Sequence, residues 1–332
     1  MSSGVAIEDV VKQKEHGLIQ AVLGNQAFWV MLAVLLIAVV MSFVSEAFMT
    51  ANNLFNVTRN FAFIGMVALG MTAVIITAGI DLSVGSIMGL SGIVAALVLE
   101  SGQPMYIGMA AGLGMGLFLG TINGVLIAYM SLPPFVVTLG MLSIARSQAI
   151  VLSNNKMIFT FGPDTEMFLN FGGGTTFDIA NPVLALIVLT FAFAYAFNFT
   201  SWGRWVYAIG GNEQAARLTG VPVRQIKVSV YALSGLVAAF AAIMMVGWLG
   251  AVTNALGMNA ELRVIAATVI GGANLMGGAG TAFGAFIGAA LIEIIRNALL
   301  LAGVDAFWQG TFVGLFIILA VLLEKVRGRG GA

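Results

Sequence analysis

The 332-residue chain contains no cysteine and only one histidine, His16. Disulfides, thiolate nucleophiles and thiolate metal sites are therefore excluded, and a single imidazole argues against zinc binding and catalytic-triad chemistry. None of the lysines follows a glycine, so the sequence has no GKS or GKT phosphate-binding loop. A nucleotide that drove this protein would have to be hydrolysed by another subunit.

Charge is also scarce, because 14 basic and 14 acidic residues cancel to zero and make up 8% of the chain. A soluble domain carries about 25% charged residues, so a water-soluble globular protein is excluded. Hydrophobic residues make up 60% of the sequence, roughly 199 positions. A membrane-spanning helix takes roughly 20 residues, which allows on the order of ten spans. We predict an all-α polytopic membrane protein with about ten transmembrane helices.

Apolar runs occupy most of the chain between a polar start and a basic end. We assign residues 1–25 to a cytoplasmic segment, 26–324 to the membrane domain and 325–332 to a cytoplasmic tail. Acidic residues in the first segment argue against a cleaved signal peptide. The apolar runs are 28–46, 61–80, 84–99, 105–129, 134–152, 182–199, 228–250, 279–301, 306–323 and the shorter run 262–272.

The distribution of basic residues predicts the orientation in the membrane. With the N-terminus inside, nine of the 14 Lys and Arg side chains fall in cytoplasmic segments, and only Arg59 and Lys156 fall in external loops. Cytoplasmic loops of membrane proteins carry such an excess of basic residues. Both termini are thus predicted to be cytoplasmic, with 200–227 as the longest internal loop and 153–181 as an external segment.

Two glycine series have the spacing of a helix face. Glycine recurs every fourth residue from Gly108 to Gly124 and again from Gly280 to Gly288. Small residues in such a stripe let helix backbones approach closely in lipid. We expect tight helix packing at both stripes, and the alternative is a role in sliding during transport.

A weak internal repeat aligns residues 79–85 with 272–278. Glycine, an Asx residue, leucine and glycine occur at the same offsets, and each segment interrupts an apolar run. Duplicated bundles with broken or re-entrant helices are common in transporters. We interpret the match as a pseudo-repeat, with chance similarity in a glycine-rich chain as the alternative.

Asp81 is a carboxylate between two apolar runs, where it must cap a helix, pair or face water. Asp81 or Ser83 is placed to cap the helix that continues through Leu99, and the second interpretation is a lining role at the inner end of a solute path. The candidates for that path are Asp81, Ser83, Asn123, Thr138 and Asn274. Interhelical hydrogen bonding explains the uncharged candidates equally well.

Glu293 and Arg296 stand three residues apart within an apolar run. On a helix this spacing puts the two side chains on one face, where they can neutralise each other. We predict a structural pair. A proton relay would need a chain of ionisable groups that the spans do not offer.

The loop 200–227 contains the signals of a short helix. These are an N-cap at Asn212, an acidic first turn at Glu213, a basic last turn at Arg217, a left-handed terminus at Gly220 and a stop at Pro222. They predict a cytoplasmic helix of about two turns from Glu213 to Thr219. Such a helix is suited to docking a soluble partner, and an idle surface helix is the alternative.

Four sequence blocks resemble the permease subunits of bacterial ABC importers for ribose, xylose, galactose and related monosaccharides. The run 202–221 is similar to the ATPase-docking loop of those subunits. The other blocks are AGIDLSVGS at 78–86, the segment 122–140 with its PPFVVTLG, and IAATVIGGANLMGGAG at 265–280. The likeness runs in order from about Asn52 to Glu324.

The resemblance implies a bacterial inner-membrane permease that performs no covalent chemistry. In that family the permease pairs with a second copy, and a twin-domain ATPase that binds ATP and Mg docks on its cytoplasmic loops. A periplasmic binding protein delivers the sugar from outside. The expected surroundings are membrane lipid, with no nucleic acid, and this chain itself is expected to hold no cofactor or metal.

The resemblance also assigns the residues of ATPase coupling. These are Asn212, Glu213, Gln214, Ala215, Ala216, Arg217 and Gly220. The family's docking pattern is Glu-Ala-Ala, three residues, then Gly, and Gln214 stands in the glutamate slot with Glu213 one position earlier. We expect the small face of Ala215 and Ala216 to insert into a groove of the ATPase. A second departure is Arg263, where the family usually has an acidic residue.

Other functions stay open beside a sugar permease. A permease of the same superfamily could carry branched-chain amino acids or another polar nutrient. An ion-coupled secondary transporter would work without an ATPase and would need an intramembrane charge network. A third possibility is a structural or receptor protein without transport.

Overall fold

The computed structural model of the chain describes residues 26–305 and, beyond them, residues 308, 310–312, 314 and 315. This part is mostly helical, with twelve α-helices and one short hairpin. The first six helices are α1 Gln26–Val44, α2 Ala51–Ile76, α3 Val84–Glu100, α4 Met105–Tyr129, α5 Pro134–Leu152 and α6 Thr165–Gly173. After the antiparallel strands β1 Thr175–Thr176 and β2 Ile179–Ala180 come α7 Asn181–Phe199, α8 Ser201–Gly211, α9 Glu213–Leu218, α10 Val223–Leu249, α11 Ala260–Ile270 and α12 Ala282–Leu301.

Six of the described helices are long and apolar enough to cross a membrane, namely α2, α4, α5, α7, α10 and α12. Phe28–Val44 within α1 and the whole of α3 are apolar but shorter. Helices α2 and α10 are the most buried of the six and α5 is the most exposed. A polytopic all-helical membrane protein is therefore confirmed. Most of the apolar run predicted at 306–323 lies outside the described residues.

Helix α2 starts at Ala51, well before the apolar run that predicted it. Its polar first turns are held by distant partners. The side-chain amides of Asn53 and Asn297 exchange two hydrogen bonds of 3.1 and 2.8 Å. The Arg59 guanidinium lies over the Trp248 ring, 4.5 Å from its centroid. Hydropathy could not locate this start, because the partners that stabilise it lie far away in the sequence.

Both glycine stripes lie at close helix contacts, although Gly280 lies before α12 begins and only Gly284 and Gly288 of the second stripe are on the helix. On α4, a Cβ atom at Gly116 would overlap the Gly235 carbonyl oxygen of α10. On α12, a Cβ atom at Gly288 would overlap the Ala267 carbonyl oxygen of α11. The expected tight packing is confirmed at both stripes, because only residues without a side chain allow these backbones to touch.

The segment predicted to be an external loop has secondary structure of its own. A 3₁₀ turn at Gly162–Asp164, α6 and the hairpin lie within it. The Asp164 carboxylate accepts a hydrogen bond from the Met105 amide (2.8 Å), which fixes the turn to the start of α4. Ile158 and Val252 exchange two backbone hydrogen bonds of 3.0 and 2.9 Å. The glycines and proline of the segment 153–181 predicted only an irregular loop. The long-range contacts explain why it is ordered.

Candidate functional site

Helices α2 and α3 are separated by a tight turn, residues 77–83, that we call the first break. The turn passes through Ala78 in the left-handed conformation (φ 58°). The amide of Gly79 then returns to the Val74 carbonyl (3.0 Å), a bond that satisfies one of the free carbonyls at the end of α2. Both flanking helices are buried here, so the break lies inside the bundle.

Asp81 lies at the centre of a buried polar cluster in the first break. Its Oδ1 accepts hydrogen bonds from the Ser83 amide (3.0 Å) and the Ser83 hydroxyl (2.6 Å), and its Oδ2 accepts from the Ser234 hydroxyl (3.1 Å). The Asn123 side-chain amide donates to Ser83 Oγ (2.9 Å). The cluster thus ties the first break to α4 and α10.

The capping interpretation of this segment needs correction. Ser83 occupies the N-cap position of α3, but its side chain makes no capping hydrogen bond to the helix. Its hydroxyl points instead to Asp81, because a buried carboxylate has to be satisfied by nearby donors. Asp81 bonds the amide of Ser83, immediately before the helix, and none in its first turn.

Four of the five candidates for the solute path are buried and bonded to one another or to backbone. The Thr138 hydroxyl lies 2.9 Å from the Pro134 carbonyl and 3.3 Å from the Ile80 carbonyl, which links α5 to the first break. Asp81, Ser83, Asn123 and Thr138 each have no exposed surface. Their contacts fit the interhelical hydrogen bonding considered for them, and their place on a solute path stays a prediction.

A second break, residues 271–281, separates α11 from α12 and resembles the first. Gly272 is left-handed (φ 101°), and the Ala273 amide returns to the Thr268 carbonyl (3.1 Å). Asn274 Oδ1 then accepts from the Met276 amide (2.7 Å). Asp81 accepts from the amide two residues ahead in the same way. The aligned Asx residues therefore form the same local turn.

The short helix predicted in the loop 200–227 is present as α9, Glu213–Leu218. Asn212 caps it by accepting a hydrogen bond from the Ala215 amide (2.9 Å), and Gly220 is left-handed (φ 84°). Glu213 pairs with Lys227 (2.6 Å) on α10 and with Arg217 (3.3 Å). The local prediction is confirmed, with the helix one residue shorter. Its link to an ATPase stays a prediction.

The exposed face of α9 differs from the one expected. Ala216 is only 4% exposed and packs on the core of this chain, so it is not available to a partner. The exposed residues of α9 are Gln214, Ala215, Arg217 and Leu218. Leu218 is 89% exposed. Sequence reasoning missed Leu218, although a large apolar residue in a polar loop was a usable signal.

Helix α8 precedes α9 and lies against the end of α2 and the second break. A Cβ atom at Gly210 would overlap the Ile76 carbonyl oxygen and the Gly278 amide nitrogen. The Tyr207 hydroxyl donates to the Gly280 carbonyl (2.7 Å). A carbonyl oxygen can only accept, so the Tyr207 hydroxyl is the donor, and burial raises the pKa of Tyr207 above its ordinary value. Neither this helix nor its contacts were predicted from the sequence.

A cavity of about 650 Å³ lies between α2, α3, α10, α11, α12 and the loop after α10. Its lining includes Asn60, Met88, Trp248, Arg263, Glu293 and Arg296. Arg296 Nε donates to Glu293 Oε2 (2.8 Å), and a second guanidinium nitrogen contacts Oε1, so the predicted pair is confirmed. Arg263 makes no hydrogen bond or ion pair within the described residues.

The cavity was not foreseen from the sequence. Its charged lining is two arginines and one glutamate among apolar walls, and Arg263 interacts electrostatically with Glu293 and with Glu261, which lies outside the lining. An intramembrane ionisable group of this kind points to a functional site. Arg263 inside an apolar run was the available signal. Within the described part of the chain, no group of three or more acidic or histidine side chains could hold a metal ion.

Long apolar helices, two internal breaks, a cavity between the helices and a charged loop helix together define a polytopic membrane protein of the transporter type. The family described as "Branched-chain amino acid transport system / permease component" matches residues 53–321, and the chain belongs to this family. It is therefore a transport permease component and not an enzyme.

Several relatives match almost the whole chain. The "Ribose import permease protein RbsC" of Escherichia coli (strain K12) is 37% identical over 317 residues, which cover 93% of this chain and 99% of the relative. The "Fructose import permease protein FrcC" of Rhizobium meliloti is 36% identical, covering 88% and 85%. The "L-arabinose ABC transporter permease protein AraH" of Azospirillum brasilense is 34% identical, covering 84% and 82%.

Proposed function

We propose that this chain is the transmembrane permease subunit of an ATP-driven ABC importer that moves a monosaccharide across the bacterial inner membrane. The observation that carries the proposal is the full-length similarity to permeases named for ribose, fructose and L-arabinose. The family description names branched-chain amino acids, but these individual relatives favour a sugar. The ion-coupled alternative has no such support.

The proposed architecture has about ten spanning or re-entrant helices. The six long helices, α1, α3, the short α11 and the apolar run 306–323 make up that number. Matching turns at Asp81 and Asn274 support an internal duplication. Residues 1–25 and 325–332 would be cytoplasmic, so both breaks and the α8–α9 loop would face the cytoplasm, and the cavity would open toward the periplasm.

We propose that the cavity is the outer vestibule for the solute. A monosaccharide presents hydroxyl groups. The guanidinium of Arg263, which makes no hydrogen bond within the described residues, and the amide of Asn60 offer donors for them at the wall. Few polar groups among apolar walls favour weak binding, which suits a path whose solute must leave again. Specificity would then reside mainly in the periplasmic binding protein.

We place Asp81, Ser83, Asn123 and Thr138 at the closed inner end of the path, with Asn274 at the matching turn. In this conformation they hold α3, α4, α5 and α10 together by hydrogen bonds. An inward-open state would have to separate some of these partners. Such a two-state element responds to a partner that contacts one state better than the other.

The partner that biases the two states would be a separate ATPase on α9, which binds ATP and Mg. The coupling residues would be Asn212, Glu213, Gln214, Ala215, Arg217 and Gly220, with Leu218 added from its exposure. Ala216 would contribute indirectly, by packing α9 against the core of this chain. A second permease copy would complete the membrane unit, and the segment 153–181 would receive the binding protein.

Co-purification tests the assignment. The permease would be isolated from its native membrane with its partners, and the ligand of the associated binding protein would be identified by mass spectrometry. We expect an ATPase and a binding protein that carries a monosaccharide. A binding protein loaded with leucine or valine would establish the amino-acid alternative, and the lack of any ATPase would argue for ion coupling.

A further inference from the structure

Helices α8 and α9 are joined as one bent unit. The single residue between them, Asn212, donates its backbone amide to the Ala208 carbonyl of α8 (3.1 Å). Its side chain accepts from the Ala215 amide of α9 (2.9 Å). With both helices bonded to the same linker residue, a displacement of α9 has to move the end of α8.

The end of α8 is also where the two breaks meet. The Gly278 amide of the second break donates to the carbonyl of Ile76, the last residue of α2 (2.9 Å). Gly210 lies against both of these atoms, and its lack of a side chain is what permits the contact. The end of α2, the second break and the end of α8 therefore share one junction.

Tyr207 makes the polar connection at this junction. It lies three residues before Gly210, hence on the same face of α8. Its hydroxyl donates to the Gly280 carbonyl (2.7 Å), the one side-chain hydrogen bond between α8 and the second break among the described residues. At its other end α8 is held to α10 by the Trp202 indole, which donates to the Ser229 hydroxyl (2.8 Å).

We propose that Tyr207 is a positioning residue that transmits movement of α9 to the second break through the carbonyl of Gly280. This inference rests on the proposed function, because it needs an ATPase that moves α9. Steric contact at Gly210 can push the second break but cannot pull it. The hydrogen bond of Tyr207 acts in both directions, so it is the contact that a reversible cycle requires.

Met276 offers a place to observe the second break. Its side chain is 83% exposed, and the chain has no cysteine, so Met276→Cys gives a single labelling position. A nitroxide spin label there would report changes in the mobility of the break. The complete importer, in lipid nanodiscs with its own ATPase and binding protein, would be measured before and after addition of ATP with vanadate.

The test compares two variants, each of which loses one tyrosine hydroxyl. Tyr207→Phe removes the hydrogen bond but keeps the ring beside Phe197, whose centroid is 6.1 Å away. Tyr195→Phe is the matched control, because Tyr195 is exposed on α7. A hydrogen bond contributes about 1 kcal/mol net to stability, which corresponds to a factor of about five in an equilibrium constant. We expect the equilibrium constant for the ATP-induced change, obtained from the fraction of the spectrum that shifts, to fall about fivefold in Tyr207→Phe and to stay unchanged in Tyr195→Phe.

The other outcomes are separable. An unchanged response in Tyr207→Phe overturns the relay while leaving an ATP-driven importer in place. Loss of the ATPase from the Tyr207→Phe complex in a pull-down also overturns it, because Tyr207 would then act in assembly. If the protein with Tyr207 intact holds no ATPase or gives no response to ATP, the proposed function fails and the relay fails with it.

Discussion

The amide of Gly278 donates a hydrogen bond to the carbonyl oxygen of Ile76, 2.9 Å away. Ile76 ends α2, and Gly278 belongs to the break before α12, so the bond joins interrupted helices from opposite halves of the chain. Helix α8 covers this junction through Gly210. The two breaks are therefore in mechanical contact with each other and with the loop that carries α9.

Leu218 is predicted to contribute to ATPase binding. Leu218→Glu places a charge on the most exposed apolar side chain of α9 and should weaken an apolar contact by about 1.5–3 kcal/mol, or more than tenfold in affinity. Pull-down of the ATPase from solubilised membranes measures this loss of affinity. Leu218→Met should bind normally. Wild-type retention in Leu218→Glu would remove Leu218 from the interface.

Ala216 should behave differently, because it is buried within this chain. Ala216→Trp overfills a packed site and should cost roughly 1–3 kcal/mol of stability or more. The expected result is a lower melting temperature of the purified permease, measured without any ATPase. A melting temperature equal to that of the wild type would show that the side chain at 216 is free to point outward.

Asp81 is predicted to act through its acceptor oxygens more than through its charge. Asp81→Asn keeps one acceptor for Ser83, and the Ser234 hydroxyl can turn to accept from the new amide, so most uptake should remain. Asp81→Ala leaves buried donors unsatisfied at about 1–3 kcal/mol each and should lower the melting temperature. Equal, near-complete loss of uptake in both variants, at normal expression, would demand a role for the charge.

Cysteine labelling tests the predicted orientation. Asp164 is a poor probe position, because its carboxylate holds the Met105 amide. Phe177 is 90% exposed at the tip of the hairpin and is preferable. Phe177→Cys should react with a membrane-impermeant maleimide added to intact spheroplasts, whereas Leu218→Cys should react only after permeabilisation. The reverse pattern would invert the topology.

Helix-capping signals and helical spacing predicted the short-range features of this protein well. Asn212 and Gly220 predicted the ends of α9, and the spacing of Glu293 and Arg296 predicted their ion pair. Both features depend only on residues within one or two helical turns. The burial of Ala216, the junction of Gly210 with Ile76 and the cavity around Arg263 depend on contacts between distant segments. No periodicity or capping signal encodes such contacts.

The central claim is tested most directly by reconstitution. Proteoliposomes containing the permease with its own ATPase inside would receive the loaded binding protein outside, with radiolabelled ribose, arabinose, fructose and leucine supplied in separate experiments. We predict uptake of at least one of the sugars that requires both ATP and the binding protein, with no uptake of leucine. Uptake of leucine alone, or sugar uptake driven by an ion gradient without ATP, would contradict the account.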